Sequence, residues 1–236
     1  DHVYGDLNAY YGSLTREHPG RFAPLAQVRE WEAETDEEIE RVDRAVREYG
    51  CKGVYFSVEP LALSGYVDHL QDPKFHRLWD LIRDLEVPIW WYLDARKRDR
   101  KKAFMERIDE LTHWSDVNPD IPSLLTHGLV PAIIFHELGI PDELMFLLKR
   151  PNSYAEFQNP AKWPEYPYPE GQELVKRMCG EVGAESFTWG SDMPFGSGFW
   201  CTYKQAVDHI AVHCDFLTQE ERALVLGGNA ARILNI

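Results

Sequence analysis

Long apolar runs are missing from this chain. None approaches the roughly 20 residues that a membrane-spanning helix needs, and the opening stretch Asp1–Gly12 lacks the basic-then-apolar pattern of a signal peptide. A cytoplasmic protein with no membrane partner is the expectation. Basic residues are scarce beside acidic ones: 25 Lys and Arg face 39 Asp and Glu, for a net charge of −14, which repels the phosphate backbone that nucleic-acid binders neutralise. The four cysteines, Cys51, Cys179, Cys201 and Cys214, form no CxxC pair, so neither a zinc ribbon nor a disulfide framework is indicated. Glycine-rich phosphate loops of the GxGxxG or GxxxxGK[ST] kind are also absent, which removes support for nucleotide-binding doubly wound folds.

What is present is an alternation of two patterns. With 44% hydrophobic residues over 236 positions, the chain can bury a substantial core in one domain spanning residues 1–236. Short β-branched or aromatic runs alternate with longer amphipathic ones, the mark of βα units around a parallel sheet. The strand candidates are Arg21–Val28, Lys52–Val58, Val87–Leu93, Ile121–Thr126, Ser153–Phe157 and Ser186–Gly190. Helices between them carry apolar stripes at Ile39, Val42, Val46 and Tyr49, at Phe75, Leu78, Trp79, Ile82 and Leu85, and at Phe104, Ile108, Leu111 and Trp114. Thr35 with Glu38 and Thr218 with Glu221 are spaced as capping boxes. About six βα units result. They fit a (β/α)8 TIM barrel whose ring is left open, since eight units typically take about 250 residues.

In such a barrel the chemistry gathers at the C-terminal ends of the strands. Two ends stand out: Leu124-Leu-Thr-His127-Gly, where a strand runs into an imidazole, and Thr188-Trp-Gly-Ser-Asp192-Met-Pro, where the last strand runs into a carboxylate. Asp192 also suits an Asx turn before Pro194, and His127 also suits a bond to a neighbouring carbonyl. Between Asn159 and Pro169 four prolines stand among Trp163, Tyr166 and Tyr168, which predicts a long loop whose rings line a pocket.

Phe187-Thr-Trp-Gly-Ser-Asp-Met-Pro-Phe195 together with Gly228-Asn-Ala-Ala-Arg-Ile-Leu234 resembles the amidohydrolase superfamily, in the branch of aminocarboxymuconate-semialdehyde decarboxylase and its relatives. Arg21-Phe-Ala-Pro-Leu-Ala, Gly53-Val and Thr126-His-Gly128 follow in the family's order. The resemblance implies that the six strands correspond to the third through the eighth of the barrel. It implies a divalent metal, zinc in most cases and manganese or iron in others, with Asp192 and His127 as catalytic and metal-binding residues. The family's HxH pair belongs to a first strand that this sequence does not contain, and the fifth-strand histidine aligns with Tyr92. A phenol must lose a proton with a pKa of about 10 before it coordinates well.

Trp90 and Tyr92 share one face of their strand by two-residue alternation and offer an aromatic wall to a substrate, with ordinary core packing as the rival reading. Arg96 is a candidate clamp for a substrate carboxylate, though a Lys/Arg-rich run from Arg96 to Lys102 also reads as a solvated helix start. Glu156 stays outside the candidate set. His209 and His213, spaced i and i+4, read as a helix face because no HExxH glutamate accompanies them, and His136-Glu137 reads as structural.

The expectation is a metal-dependent hydrolase or non-oxidative decarboxylase acting on a small carboxylated or cyclic substrate, as a homo-oligomer or beside a related chain. The alternatives are a non-catalytic partner subunit with a degenerate metal site, which Tyr92 favours, and a metal-free lyase built on His127, Tyr92 and Asp192. An open ring would expose strand edges, so the expectation is that the sequence is an incomplete piece of a longer chain or that another segment fills the gap.

Overall fold

The computed structural model describes residues 6–58, 69–92, 100–126, 140–158, 166–193 and 201–236, without the side chains of Arg100 and Lys101. Its centre is one six-stranded sheet whose strands are all parallel and lie in chain order. The strands are β1 Leu25–Gln27, β2 Gly53–Ser57, β3 Ile89–Tyr92, β4 Ser123–Thr126, β5 Ser153–Gln158 and β6 Phe187–Gly190. Helices α1 Leu7–Glu17, α2 Asp36–Arg47, α3 His76–Leu85, α4 Arg100–Val117, α5 Asp142–Leu148 and α6 Pro169–Val182 are interleaved with them. After β6 come α7 Tyr203–Asp208, a π turn His209–His213, α8 Gln219–Ala223, a second π turn Leu224–Gly228 and α9 Asn229–Leu234. Consecutive parallel pairing with helical returns is the half-wound order of a TIM barrel, and the expected six βα units are present. Among the described residues no helix is long and apolar enough to cross a membrane.

The two faces of the sheet differ as strand alternation requires. Ala26, Val54, Phe56, Ile89, Trp91, Leu125, Ala155, Phe157 and Phe187 face the helices and belong to the main core. There Phe56, Phe75, Trp79, Trp91 and Trp114 interlock, with ring centroids 4.9 to 5.7 Å apart. The Trp91 indole donates to Ser123 Oγ at 2.7 Å, inside the core. Such rings combine large buried area with edge-to-face contacts worth about 0.5–1.5 kcal/mol a pair. The opposite face is smaller. Trp90 and Leu124 meet Ile233 there, with Leu25, Tyr55, Tyr154 and Leu234 around them, so the last turn of α9 plugs the interior beside the strand starts Leu25 and Tyr154. Asn229, fully buried, holds that helix down by donating to the carbonyls of Ala184 and Phe187 at 2.8 and 2.7 Å.

Three features add to the sequence reading or correct it. The stretch before Arg21 carries no strong apolar stripe, yet it forms α1, capped by Asp6. Gly12 lets that helix approach Tyr49, whose Cβ would lie 2.7 Å from a side-chain carbon at position 12. Second, only half of the first capping box forms: Thr35 Oγ1 accepts from the Glu38 N–H at 3.2 Å, but the Glu38 carboxylate turns inward to a bidentate pair with Arg41, at 2.7 Å on both oxygens. The Thr218–Glu221 box is complete.

The third concerns the edge of β1. The outward N–H of Gln27 donates to Asn8 Oδ1 at 2.8 Å, and its carbonyl accepts from Asn8 Nδ2 at 3.2 Å and Arg41 Nη2 at 2.6 Å. The buried Asn8 amide reproduces, at this one position of β1, both bonds a neighbouring strand would make.

Candidate active site

The inner face changes character toward the C-terminal ends of the strands. Tyr55 of β2 lies in the Trp90–Leu124–Ile233 layer; above it, alternation places Ser57 of β2, Tyr92 of β3, Thr126 of β4 and Glu156 of β5 at one level, with Gln158 of β5 and Gly190 of β6 one step higher. The register confirms the level, with Ser57 beside Tyr92, Tyr92 beside Thr126 and Gln158 beside Gly190. Asp192 follows two residues later.

Asp192 has φ +53°, in the left-handed region. Asp and Asn tolerate that conformation better than other side chains, and the neighbouring Ser191 hydroxyl accepts from the Met193 N–H at 3.3 Å. The carboxylate lies within electrostatic reach of both Tyr55 and Glu156 and disfavours ionisation of each. Tyr55 and Tyr92 stand side by side with ring centroids 6.1 Å apart. Burial is the main cause that raises the Tyr55 phenol, followed by Tyr92, Glu30, Glu156 and Asp192.

Glu156 is the residue that sequence reasoning set aside. Enclosed by the strand ends yet still partly accessible, its carboxyl accepts from Thr126 Oγ1 at 3.4 Å, which in turn accepts from Gln158 Nε2 at 3.4 Å. Burial holds the Glu156 pKa above the ordinary carboxylate value, against hydrogen bonds from Gln158, Thr126 and Trp90 and with the nearby charge of Asp192. Its signal in the sequence was the alternation Tyr154-Ala-Glu156-Phe-Gln158, which puts a carboxyl on the face that Trp90 and Tyr92 line. A further carboxylate, Glu30, lies just past β1 and is 4% exposed. It accepts the Ser57 N–H at 2.7 Å, and burial raises its pKa to about 7.

Of the predicted site residues, Asp192, Tyr92 and Trp90 meet around this mouth. Trp90 forms its floor, 8% exposed. His127 and Arg96 lie outside the described residues, as do Trp163, His136 and Glu137. Tyr166 and Tyr168, expected to line a pocket, pack elsewhere: the Tyr166 hydroxyl meets His213 Nε2 at 2.6 Å, and the 4%-exposed Tyr168 packs on His209 with centroids 5.9 Å apart. The helix-face reading of the two histidines therefore gains a role, which is to fasten the end of that loop.

The chemistry of the mouth is that of oxygen. Carboxyls and phenols are donors that hard divalent ions accept, and neither Glu156 nor Asp192 has an ion pair among the described residues. Within those residues no group of three His, Cys, Asp or Glu is placed to hold an ion.

The protein-family model described as amidohydrolase matches residues 2–236. No curated protein matches the chain. Among solved structures, the chain is similar to a 5-carboxyvanillate decarboxylase from Novosphingobium aromaticivorans complexed with manganese and 4-hydroxy-3-methoxy-5-nitrobenzoic acid, at 13% identity over 100% of this chain and 70% of that one, with TM-score 0.71. It is similar to a zinc-bound amidohydrolase from Burkholderia multivorans, at 15% identity over 98% and 79%, TM-score 0.74. A third is a probable 2-pyrone-4,6-dicarboxylic acid hydrolase from Acinetobacter baumannii with citric acid bound, at 15% identity over 98% and 80%, TM-score 0.70. At these identities the likeness is one of fold.

Proposed function

Because this chain belongs to the amidohydrolase family, we propose that it is a metal-dependent hydrolase or non-oxidative decarboxylase of small carboxylated, cyclic substrates. The observation that carries the reading is Asp192, a carboxylate at the end of β6 that shares the inner mouth with Tyr55, Tyr92 and Glu156. Two of the solved relatives are named for action on carboxylated rings, a 5-carboxyvanillate decarboxylase and a probable 2-pyrone-4,6-dicarboxylic acid hydrolase, and two were captured with manganese or zinc. In this reading Asp192 and His127 hold the divalent ion. Two enclosed carboxyls without an ion-paired partner among the described residues are an arrangement that a cation relieves. The ion supplies Lewis-acid polarisation and lowers the pKa of water in the site.

The protein's own groups do the rest. In hydrolysis Asp192 takes the proton of the attacking water; in decarboxylation, protonated from solvent, it gives that proton to the ring carbon as the bond to the departing carbon dioxide breaks. Tyr92 and Tyr55 wall the ring of the substrate, and the Trp90 floor limits how deep it enters. Arg96 supplies a bidentate contact to the substrate carboxylate.

The test is D192N in the full chain, assayed on 5-carboxyvanillate and 2-pyrone-4,6-dicarboxylate with metal content measured alongside. Asparagine keeps the left-handed conformation, so the fold is retained while turnover falls by at least about a hundredfold. Full activity in D192N overturns the assignment. Tyr92, which the family resemblance aligns with a fifth-strand histidine, favours a second reading as a non-catalytic partner subunit. That reading wins if the pure chain binds no metal and activity appears only in complex with a second chain of this family.

A further inference from the structure

The apolar layer of the inner face is built from parts of the chain that lie far apart in sequence. The strands supply Trp90 and Leu124, set side by side by the register, and the last helix supplies Ile233, which joins the same cluster from the side of the strand starts. Asn229 holds that helix at one height through its bonds to the carbonyls of Ala184 and Phe187. One step toward the C-terminal ends, Tyr92 and Glu156 are still partly accessible, whereas Trp90 is 8% exposed and Leu124 not at all. Access from the mouth therefore ends on the Trp90 indole. That ring is fixed twice, by its cluster with Ile233 and Leu124 and by donation of its N–H to the Glu156 carboxyl.

We propose that Ile233 is a positioning residue for substrate length: acting through Trp90, it keeps the floor of the mouth at one height, so that the C-terminal helix, which touches no substrate, decides how long a ligand fits. The proposal rests on the reading of this mouth as the active site. A ring that keeps its carboxylate at the rim points its para carbon at the floor, where an indole backed by packed hydrocarbon yields little room. An Ile233→Ala change removes three carbons behind that indole. An apolar void of this kind stays dry and is filled by neighbouring or ligand atoms. The indole settles into it, and the vacated volume reappears on the ligand side.

The experiment is calorimetric titration of the full chain, as wild type, I233A, I233V and V225A, with benzoate, 3-isopropylbenzoate and 4-isopropylbenzoate. The isopropyl group adds as many carbons as the alanine substitution removes. Wild type binds 4-isopropylbenzoate at least about tenfold more weakly than benzoate. In I233A, checked by circular dichroism for its fold, that penalty falls to within about twofold, while 3-isopropylbenzoate, whose substituent points at the wall, keeps its wild-type ratio to benzoate. I233V, a milder change for the fold, moves the 4-isomer part of the way and guards against misfolding of the alanine variant. V225A, at a fully buried position of the main core, controls for general loosening of the C-terminal segment and leaves both ratios as in wild type. Three outcomes overturn the proposal: wild type that does not discriminate against the 4-isomer, a ratio unchanged in the folded Ile233 variants, or an equal gain by both isomers. Turnover is read separately. A para penalty that depends on Ile233, found in a protein whose D192N variant is fully active, leaves this inference standing while the proposed reaction falls; loss of turnover in D192N with an unchanged para penalty in I233A does the reverse.

Discussion

The carboxyl of Glu156 occupies the space above Gly190 that any side chain there would need: a Cβ built on Gly190 runs into Glu156 Oε1 and Cδ before other atoms. β5 and β6 are thus matched by one missing side chain, and the same absence lets the carboxyl lie flat against the strand that leads to Asp192. G190A forces the two apart at a cost of roughly 1–3 kcal/mol, the usual range for overpacking. In an E156A background the same change costs much less, since the obstacle is gone. Urea unfolding of the four proteins in a double-mutant cycle checks this, and an equal cost of G190A in both backgrounds refutes the packing relationship.

Two buried groups give stability opposite pH slopes. Glu30 is raised from 4.5 to about 7 by burial, so the folded state keeps a proton that the unfolded chain releases. Its contribution is full below pH 4.5 and is lost as pH rises through about 7. His209 is lowered from 6.5 to about 4, again by burial, so its contribution is full above pH 6.5 and is lost as pH falls through about 4. Between roughly pH 4.5 and 6.5 the two nearly cancel, each running at about 1.4 kcal/mol per pH unit. E30Q should therefore gain stability, relative to wild type, as pH rises across that window, and H209Q should lose it. Denaturant midpoints at several pH values decide the matter, and parallel profiles for all three proteins would contradict it.

The fold was legible because each level of the sequence agreed with the next. The stripe Phe104, Ile108, Leu111 and Trp114 is wholly buried along α4, and the strand runs map onto the sheet in their order. The first helix escaped notice because its stability comes from tertiary contacts, through Asn8 to Gln27 and Gly12 to Tyr49, rather than from an apolar period. Glu38 misled for a similar reason, since a buried arginine competes for the carboxylate that the capping box claims. Within the mouth, Asp192, Tyr92 and Trp90 could be read from strand ends and alternation. The alternation of β5 set Glu156 on the face opposite Ala155 and Phe157, and the register with β4 and β6 then shows that this face lines the mouth.

The motif that most suggested the family also has a mechanical part to play. Asn229 satisfies two buried carbonyls, and Arg232 binds the Glu185 carbonyl at 2.8 Å and lies 5.4 Å from the Tyr154 ring centroid. N229A leaves both carbonyls unpaired and costs about 1–3 kcal/mol. Thermal unfolding measures it, and a melting temperature equal to that of wild type would remove Asn229 from the account of how the C-terminal helix seats.

The cysteines should behave as inert core residues. Burial raises Cys51 to about 11 and Cys179 and Cys214 to about 12, so almost no thiolate is present near neutral pH. Alkylation of these three by iodoacetamide at pH 8 should run on the order of a hundredfold slower in the native protein than in urea. Rapid native labelling at any of them, read by peptide mapping, would count against this.

The amide of Asn8 has one more consequence, for what β1 can pair with in the described sheet. Strand-by-strand growth into fibres starts where a terminal β-segment offers an unsatisfied N–H and C=O to an incoming chain. At Gln27 that handhold is taken by a side chain, and an invader would have to evict both Asn8 and the Arg41 guanidinium with its buried Glu38 partner. Within the described sheet, Asn8 and the Arg41–Glu38 pair thus fill the outward bonds of Gln27, and the loss of Asn8 alone would reopen the Gln27 N–H.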